Sequence, residues 1–223
     1  MTRREVIGIL SVGTASLAIG GCGLLNSRAS YRFRMTVEMD TPQGLRAGSS
    51  VYEVVAEKNN TRLLAEERAG GVITRGEAVV VDVPGGAIYV LLTLPKTTNG
   101  LGAVATYALS PETERGGIDN FLPAVKKLGG WFGDAKAELP REDWPLMVWF
   151  GDINDPKTVQ RVEPDAIGVK RILLETTGDE VTTGIERTLK WLGDRGGVVS
   201  GPTFNANLTE TIYNEAFRLG ISK

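Results

Sequence analysis

The sequence predicts an α+β fold built mainly on antiparallel sheet, and three observations carry that expectation. Residues 31–40 alternate between apolar and polar side chains, turn signals separate further short apolar runs in the N-terminal half, and helical spacing of apolar residues is concentrated in the C-terminal half. Strands gathered first and helices gathered later suit an antiparallel sheet with helices on one side, not alternating βαβ units. The expectation is an N-terminal meander with about three helices, mostly in the C-terminal half.

Taken in order, Tyr31, Phe33, Met35, Val37 and Met39 alternate with Arg32, Arg34, Thr36, Glu38 and Asp40. That period of two marks a strand with one buried and one wet face. Thr41-Pro42-Gln43-Gly44 suits a turn, because proline presets φ at its second position and glycine is favoured at its fourth. A second strand follows over residues 50–57. A third, over residues 78–83, is joined through Pro84-Gly85-Gly86 to Ile88-Tyr89-Val90-Leu91-Leu92, whose continuous apolar character predicts a central strand. Asp119 is expected to cap a helix through Phe121, Leu122, Val125 and Leu128, with Pro123 tolerated in its first turn. Residues 146–150 and 169–174 read as strands. Thr183 and Glu186 have capping-box spacing ahead of Ile185, Leu189 and Leu192, which predicts a second helix. Asn207 and Glu210 repeat the pattern before Leu208, Ile212, Ala216 and Leu219, a third helix that stops at Gly220. No second break in composition appears, so residues 31–223 are expected to form a single α+β domain.

Composition then excludes much chemistry. A chain of 223 residues with 42% hydrophobic and 23% charged side chains can bury a sizeable core. Its net charge of −2 gives no electrostatic case for nucleic acid as a partner. There is no histidine, which removes Ser-His-Asp triads, Cys-His pairs and the usual zinc sites. The Gly-x-Ser-x-Gly and Ser-x-x-Lys patterns of serine hydrolases are also missing. Gly100-Leu101-Gly102-Ala103-Val104-Ala105 matches a loose dinucleotide fingerprint, but the preceding strand is too distant for the required tight turn. No cofactor is expected.

The N-terminus reads as an export signal. Arg3 and Arg4 precede Val6 and Ile7 as in twin-arginine signals, and residues 6–19 form an apolar core too short to span a bilayer comfortably. Ile19-Gly20-Gly21-Cys22 resembles a bacterial lipobox, in which small residues precede a cysteine that becomes acylated. Cys22 is the chain's one cysteine, so it cannot form an internal disulfide. Residues 1–22 are therefore expected to be a signal peptide, residues 23–30 a tether, and the mature protein a membrane-attached envelope lipoprotein facing the periplasm. Gly23 is not an aspartate, which by the familiar enteric sorting rule favours the outer membrane.

The conspicuous candidate site is Trp149-Phe150-Gly151-Asp152-Ile153-Asn154-Asp155-Pro156, an apolar strand running into a loop with three oxygen-rich side chains. Trp149, Asp152, Asn154 and Asp155 could form a ligand loop, while Asp and Asn ahead of proline also make side-chain-capped turns. The spacing is not that of an EF-hand, and no metal is expected. Trp131-Phe132-Gly133-Asp134 and Trp191-Leu192-Gly193-Asp194 share the same aromatic-apolar-Gly-Asp form. Exposed tryptophans could stack on sugar rings of an envelope glycan; otherwise they are core residues and Gly-Asp ends each element.

Tyr31-Arg32-Phe33-Arg34-Met35-Thr36-Val37-Glu38, Gly44-Leu45-Arg46-Ala47-Gly48-Ser49-Ser50-Val51, Asp152-Ile153-Asn154-Asp155-Pro156-Lys157 and Val181-Thr182-Thr183-Gly184-Ile185-Glu186 resemble segments of an uncharacterised family of proteobacterial, lipoprotein-like proteins. The resemblance implies a bacterial origin and a shared fold, and transfers no catalytic residue. Two functions are expected from the residues themselves: a non-catalytic binding or structural module meeting an envelope protein or glycan, or a carboxylate-dependent, histidine-free hydrolase acting on an envelope glycan through Asp152, Asp155 or a distant glutamate. A hydrolase needs two carboxyl groups facing across a cleft.

Overall fold

The computed structural model describes residues 27–58, 70–95, 100–130, 134–192, 198–199, 212–213 and 216–219. In chain order these form β1 (Ser27–Thr41), β2 (Gly44–Lys58), β3 (Gly70–Glu77), β4 (Val79–Val83), β5 (Gly86–Val90), α1 (Leu101–Leu109), α2 (Ile118–Leu128), β6 (Lys136–Glu138), β7 (Met147–Phe150), β8 (Val159–Val162), β9 (Val169–Thr176), β10 (Val198–Val199), β11 (Ile212–Tyr213) and β12 (Arg218–Leu219). They make a six-stranded sheet in the order β12-β3-β2-β1-β9-β6, a four-stranded sheet in the order β4-β5-β7-β8, and the pair β10-β11. The ladders between them are antiparallel.

The alternation in β1 sets up the large sheet. Tyr31, Phe33, Met35, Val37 and Met39 are buried, whereas Arg32, Arg34, Thr36 and Glu38 lie half-buried on the opposite face. Each wholly buried side chain of this size stabilises the fold by about 1.5–3 kcal/mol. β1 and β2 pair along their full length, from Ser27 with Lys58 to Thr41 with Gly44. On the wet face the charges are matched in rows. Arg34 lies 2.9 Å and Lys136 3.3 Å from Glu175, Arg171 is 2.7 Å from Glu38, and Arg75 is 3.0 Å from Glu53. Bonding to Arg171 and to Arg34 holds the Glu38 and Glu175 carboxyls below the usual range.

The inner face is covered at two places. Near the start of β1, α1 and α2 pack on it, with Phe121, Leu122, Val125 and Leu128 of α2 buried and a 2.9 Å hydrogen bond joining the Tyr31 and Thr106 hydroxyls. Toward the other end the four-stranded sheet takes over. The chain passes between sheets at Ala78, the one residue separating β3 from β4. Gly76 makes this possible: its φ is +146°, and a Cβ there would stand 2.4 Å from a Tyr52 ring carbon. Where β4 crosses β2, a Cβ on Gly48 would lie 2.1 Å from the Val80 carbonyl oxygen. The last segment ties both sheets, because Ala78 N–H donates to Phe217 C=O and Leu92 N–H to Ala216 C=O, each at 2.8 Å. Tyr89, Phe150, Trp191 and Phe217 form an aromatic cluster at this junction, with centroid separations of 5.4–6.3 Å.

The antiparallel α+β character therefore holds, with finer corrections. The described residues contain two α-helices, not three, and both lie in the middle of the chain. The meander divides, with β1 to β3 in one sheet and β4-β5 in the other. Residues 27–30 belong to β1 and not to a tether, since the hairpin register with β2 extends the strand beyond its apolar alternation. The N-cap of α2 is Gly117, while Asp119 lies in the first turn bonded to Lys58, and Pro123 falls beyond that turn. The Thr183–Glu186 capping box is unused. Gly184 adopts a left-handed φ of +109°, the Ile185 N–H is taken by Glu77, and only a 3-10 turn (Ile185–Arg187) forms. Ile185, Leu189 and Leu192 are nonetheless buried, so their spacing reported burial but not helix length. In the expected C-terminal helix, residues 207–211 and Gly220 lie outside the described residues. Ile212–Tyr213 and Arg218–Leu219 are strands, because pairing with β10 and β3 satisfies their backbone instead.

Candidate functional site

The loop after β7 is built from its own carboxylates. Asp152 Oδ1 accepts hydrogen bonds from the Asn154 backbone N–H at 2.9 Å and from the Asn154 side-chain amide at 3.2 Å. Asp155 Oδ1 accepts from the Lys157 N–H at 3.0 Å and caps a 3-10 turn (Pro156–Thr158). The Thr158 hydroxyl accepts from Asp152 N–H at 2.9 Å and lies 2.7 Å from the Asp155 carbonyl, to which it donates. Short polar side chains ahead of a turn bond the backbone two residues on in this way. Trp191 fastens the loop from outside by donating its indole N–H to Ile153 C=O at 2.9 Å.

Of the four candidates, only Asp152 and Asn154 are brought together, and they bond one another. Asp155 is turned to Lys157. Trp149 is half-buried on β7, with its indole N–H 3.2 Å from Gln160 Oε1, directly across on β8. In these bonds neither Asp152 nor Asp155 contacts a second carboxyl group. Trp144 is buried and donates to Leu139 C=O at 2.9 Å, so each of the three described tryptophans has its N–H satisfied inside the chain. Trp131-Phe132-Gly133 and Gly193-Asp194 lie outside the described residues, as do Arg3, Arg4 and Cys22. Gly100-Leu101-Gly102-Ala103-Val104-Ala105 opens α1, with Gly100 as its N-cap. Among the described residues, no three or more Asp, Glu, Cys or His side chains gather as a metal site.

The acid that stands out structurally is Glu77, only 2% exposed. Its Oε2 accepts from Ile185 N–H at 2.8 Å, and its Oε1 has no hydrogen-bond partner. Burial is the largest influence on its carboxyl and raises its pKa; the amides of Ile185 and Gly184 and the charge of Arg218 oppose the shift, while Glu186 adds to it. The Tyr52 hydroxyl is likewise buried without a hydrogen-bond partner. Sequence reasoning passed over Glu77 because one charged residue between strands is ordinary. The available signal was Gly76 beside it, since glycine within a strand pattern often marks a bulge or close backbone approach.

Two clefts open at opposite ends of the large sheet. One, of about 530 Å³, lies where β1 begins and is lined by Ser30, Arg32, Glu53, Gly129, Asp134 and Thr177 among others. The second, of about 480 Å³, lies between the β1–β2 and β4–β5 turns, with Met39, Val83, Ile88 and Ile167 in its lining and Asp40 and Asp165 as its acidic residues. Asp165 is paired with Arg141 at 2.6 Å. Comparison of the chain with protein-family models, curated proteins and solved structures finds no match.

Proposed function

We propose that this protein is a lipid-anchored bacterial envelope protein whose folded part is a non-catalytic binding or structural module. The observation that carries the proposal is the joint between signal and fold: β1 begins at Ser27, five residues after the lipobox Cys22. Cleavage before Cys22 would thus leave a mature chain that enters its first strand almost at once. Arg3 and Arg4 make twin-arginine export the favoured route, and Gly23 favours the outer membrane. Acyl chains contribute about 0.8 kcal/mol per buried CH2, so two or more anchor stably. The partner would be an envelope protein or glycan.

The module reading over the hydrolase rests on the bonds of Asp152 and Asp155, whose named acceptor oxygens are committed to their own loop. The test is mass spectrometry of the N-terminus after expression in a bacterial host, comparing wild type with Cys22→Ala in membrane and soluble fractions. A diacylated or triacylated Cys22 in the membrane fraction, lost in the variant, is the expected result. An unmodified Met1 or Thr2 terminus in the soluble fraction would remove the anchor, the compartment and the partner class together.

A further inference from the structure

We propose that the end of the fold where β1 begins is a lipid-facing surface that rests on the head-group layer; this deepens, and depends on, the reading of Cys22 as acylated. The geometry starts from chain length. Ser27 is the fifth residue after Cys22, and five residues span at most about 18 Å when fully extended. From Ser27, β1 runs 15 residues to Thr41, and at about 3.3–3.4 Å per residue its far turn lies roughly 45–50 Å away. The near end of the sheet is therefore confined close to the bilayer by covalent reach alone. The far turn at Pro42-Gln43 could approach the bilayer only if the sheet lay on its side.

The charge arrangement argues against lying flat. The broad wet face would then meet the lipid, but four of its arginines, Arg28, Arg34, Arg75 and Arg171, are already paired with Glu57, Glu175, Glu53 and Glu38, and Arg32 donates to the Asp179 carbonyl. The near end has a different character. α2 finishes there, since a Cβ on Gly129 would stand 2.1 Å from the Ser30 carbonyl oxygen, and its last turn exposes Lys126 together with Lys127, which is paired with Glu112. The cleft beside it is lined mainly by polar groups and glycine backbone, with Tyr31 and Leu128 also in its wall. Of the large apolar side chains exposed among the described residues, Leu45, Val72 and Ile153, only Val72 belongs to this end, paired with Ala56. A polar end that carries Lys126 suits the oxygen-rich head groups, and it lacks the apolar area needed to enter hydrocarbon. Resting on that end turns the second cleft, at the β1–β2 and β4–β5 turns, away from the membrane.

The chain's single cysteine makes the test direct, because an acylated Cys22 has no free thiol and an introduced cysteine is the only labelling site. Ser30→Cys and Gln43→Cys, both at exposed positions, are labelled with a fluorophore in the mature acylated protein. Each is then incorporated into phosphatidylethanolamine–phosphatidylglycerol vesicles that contain a lipid with a nitroxide head group. The expected result is several-fold stronger quenching at position 30 than at 43. Comparable quenching at both positions, stronger quenching at 43, or flotation with the vesicles without quenching at either overturns the orientation and leaves the anchor intact. Protein that is unacylated and fails to float overturns the anchor and the orientation with it.

Discussion

The carboxylates of Asp152 and Asp155 sit in water and accept hydrogen bonds from backbone two residues ahead, whereas Glu77 is buried and accepts from a backbone amide 108 residues away. The first arrangement needs only a short stretch of chain. The second exists only once β3, β12 and the Gly184–Arg187 turn have been assembled. Local acids are supported by local geometry and add little to global stability, while a buried acid couples its ionisation to the packing of distant segments. In this molecule the conspicuous acidic motif is the structurally routine one.

Replacing the buried acid should produce the largest effect. Glu77→Ala removes the acceptor for Ile185 N–H and leaves a void, and should cost about 2–4 kcal/mol in urea unfolding. A loss no greater than that of an exposed substitution would show that the Glu77–Ile185 bond carries no weight.

Glu77→Gln separates charge from shape. The amide keeps an acceptor for Ile185 and carries no charge to bury. Because the folded carboxyl has a raised pKa, the native state holds the proton more tightly than the unfolded chain. That contribution to stability is fully present below the unfolded pKa and is lost as pH rises through the higher folded value. Glu77→Gln should therefore match wild type at the acid end and become more stable than it as pH climbs toward neutrality. Thermal unfolding of both proteins across the weakly acidic range measures this. A difference independent of pH would mean that Glu77 does not titrate in that range.

Asp155→Ala removes a cap and should cost about 1 kcal/mol in urea unfolding. Smallest of all, Asp152→Asn retains an oxygen acceptor for the Asn154 amide and should stay within about 0.5 kcal/mol of wild type. A large loss from Asp152→Asn, or bound calcium retained by wild type and lost by the variant after dialysis, would reverse the assignment of this loop as a structural turn.

Much of the fold was legible where a signal and its consequence lie within a few residues. The alternation from Tyr31 to Met39 named the buried face of β1 correctly, and Thr41-Pro42-Gln43-Gly44 marked its turn. The apolar run from Ile88 identified a strand with neighbours on both sides. Helical spacing failed after residue 180 because spacing records which side chains are buried and leaves the backbone path open. Ile185, Leu189 and Leu192 reach the core from short turns entered through the left-handed Gly184. α1 was missed because Leu101–Leu109 is apolar on nearly every side, which conceals helical period.

The candidate loop was half legible. Asx and proline chemistry foretold its turns, because those bonds span two residues. That Trp191 seals it, and that Trp149 pairs with Gln160, follows from strand order.

By itself the sequence determined the faces of the first hairpin, the absence of histidine chemistry and the self-capped acidic loop, all set by bonds or periods a few residues long. The tertiary structure alone decided that the chain changes sheets at Ala78, that β12 closes one edge of the large sheet, and that Glu77 is buried with one oxygen unpaired. The physical reason is distance along the chain: these features depend on groups up to 108 residues apart. Their contact is selected by the packing of the whole core and not by propensities at either partner.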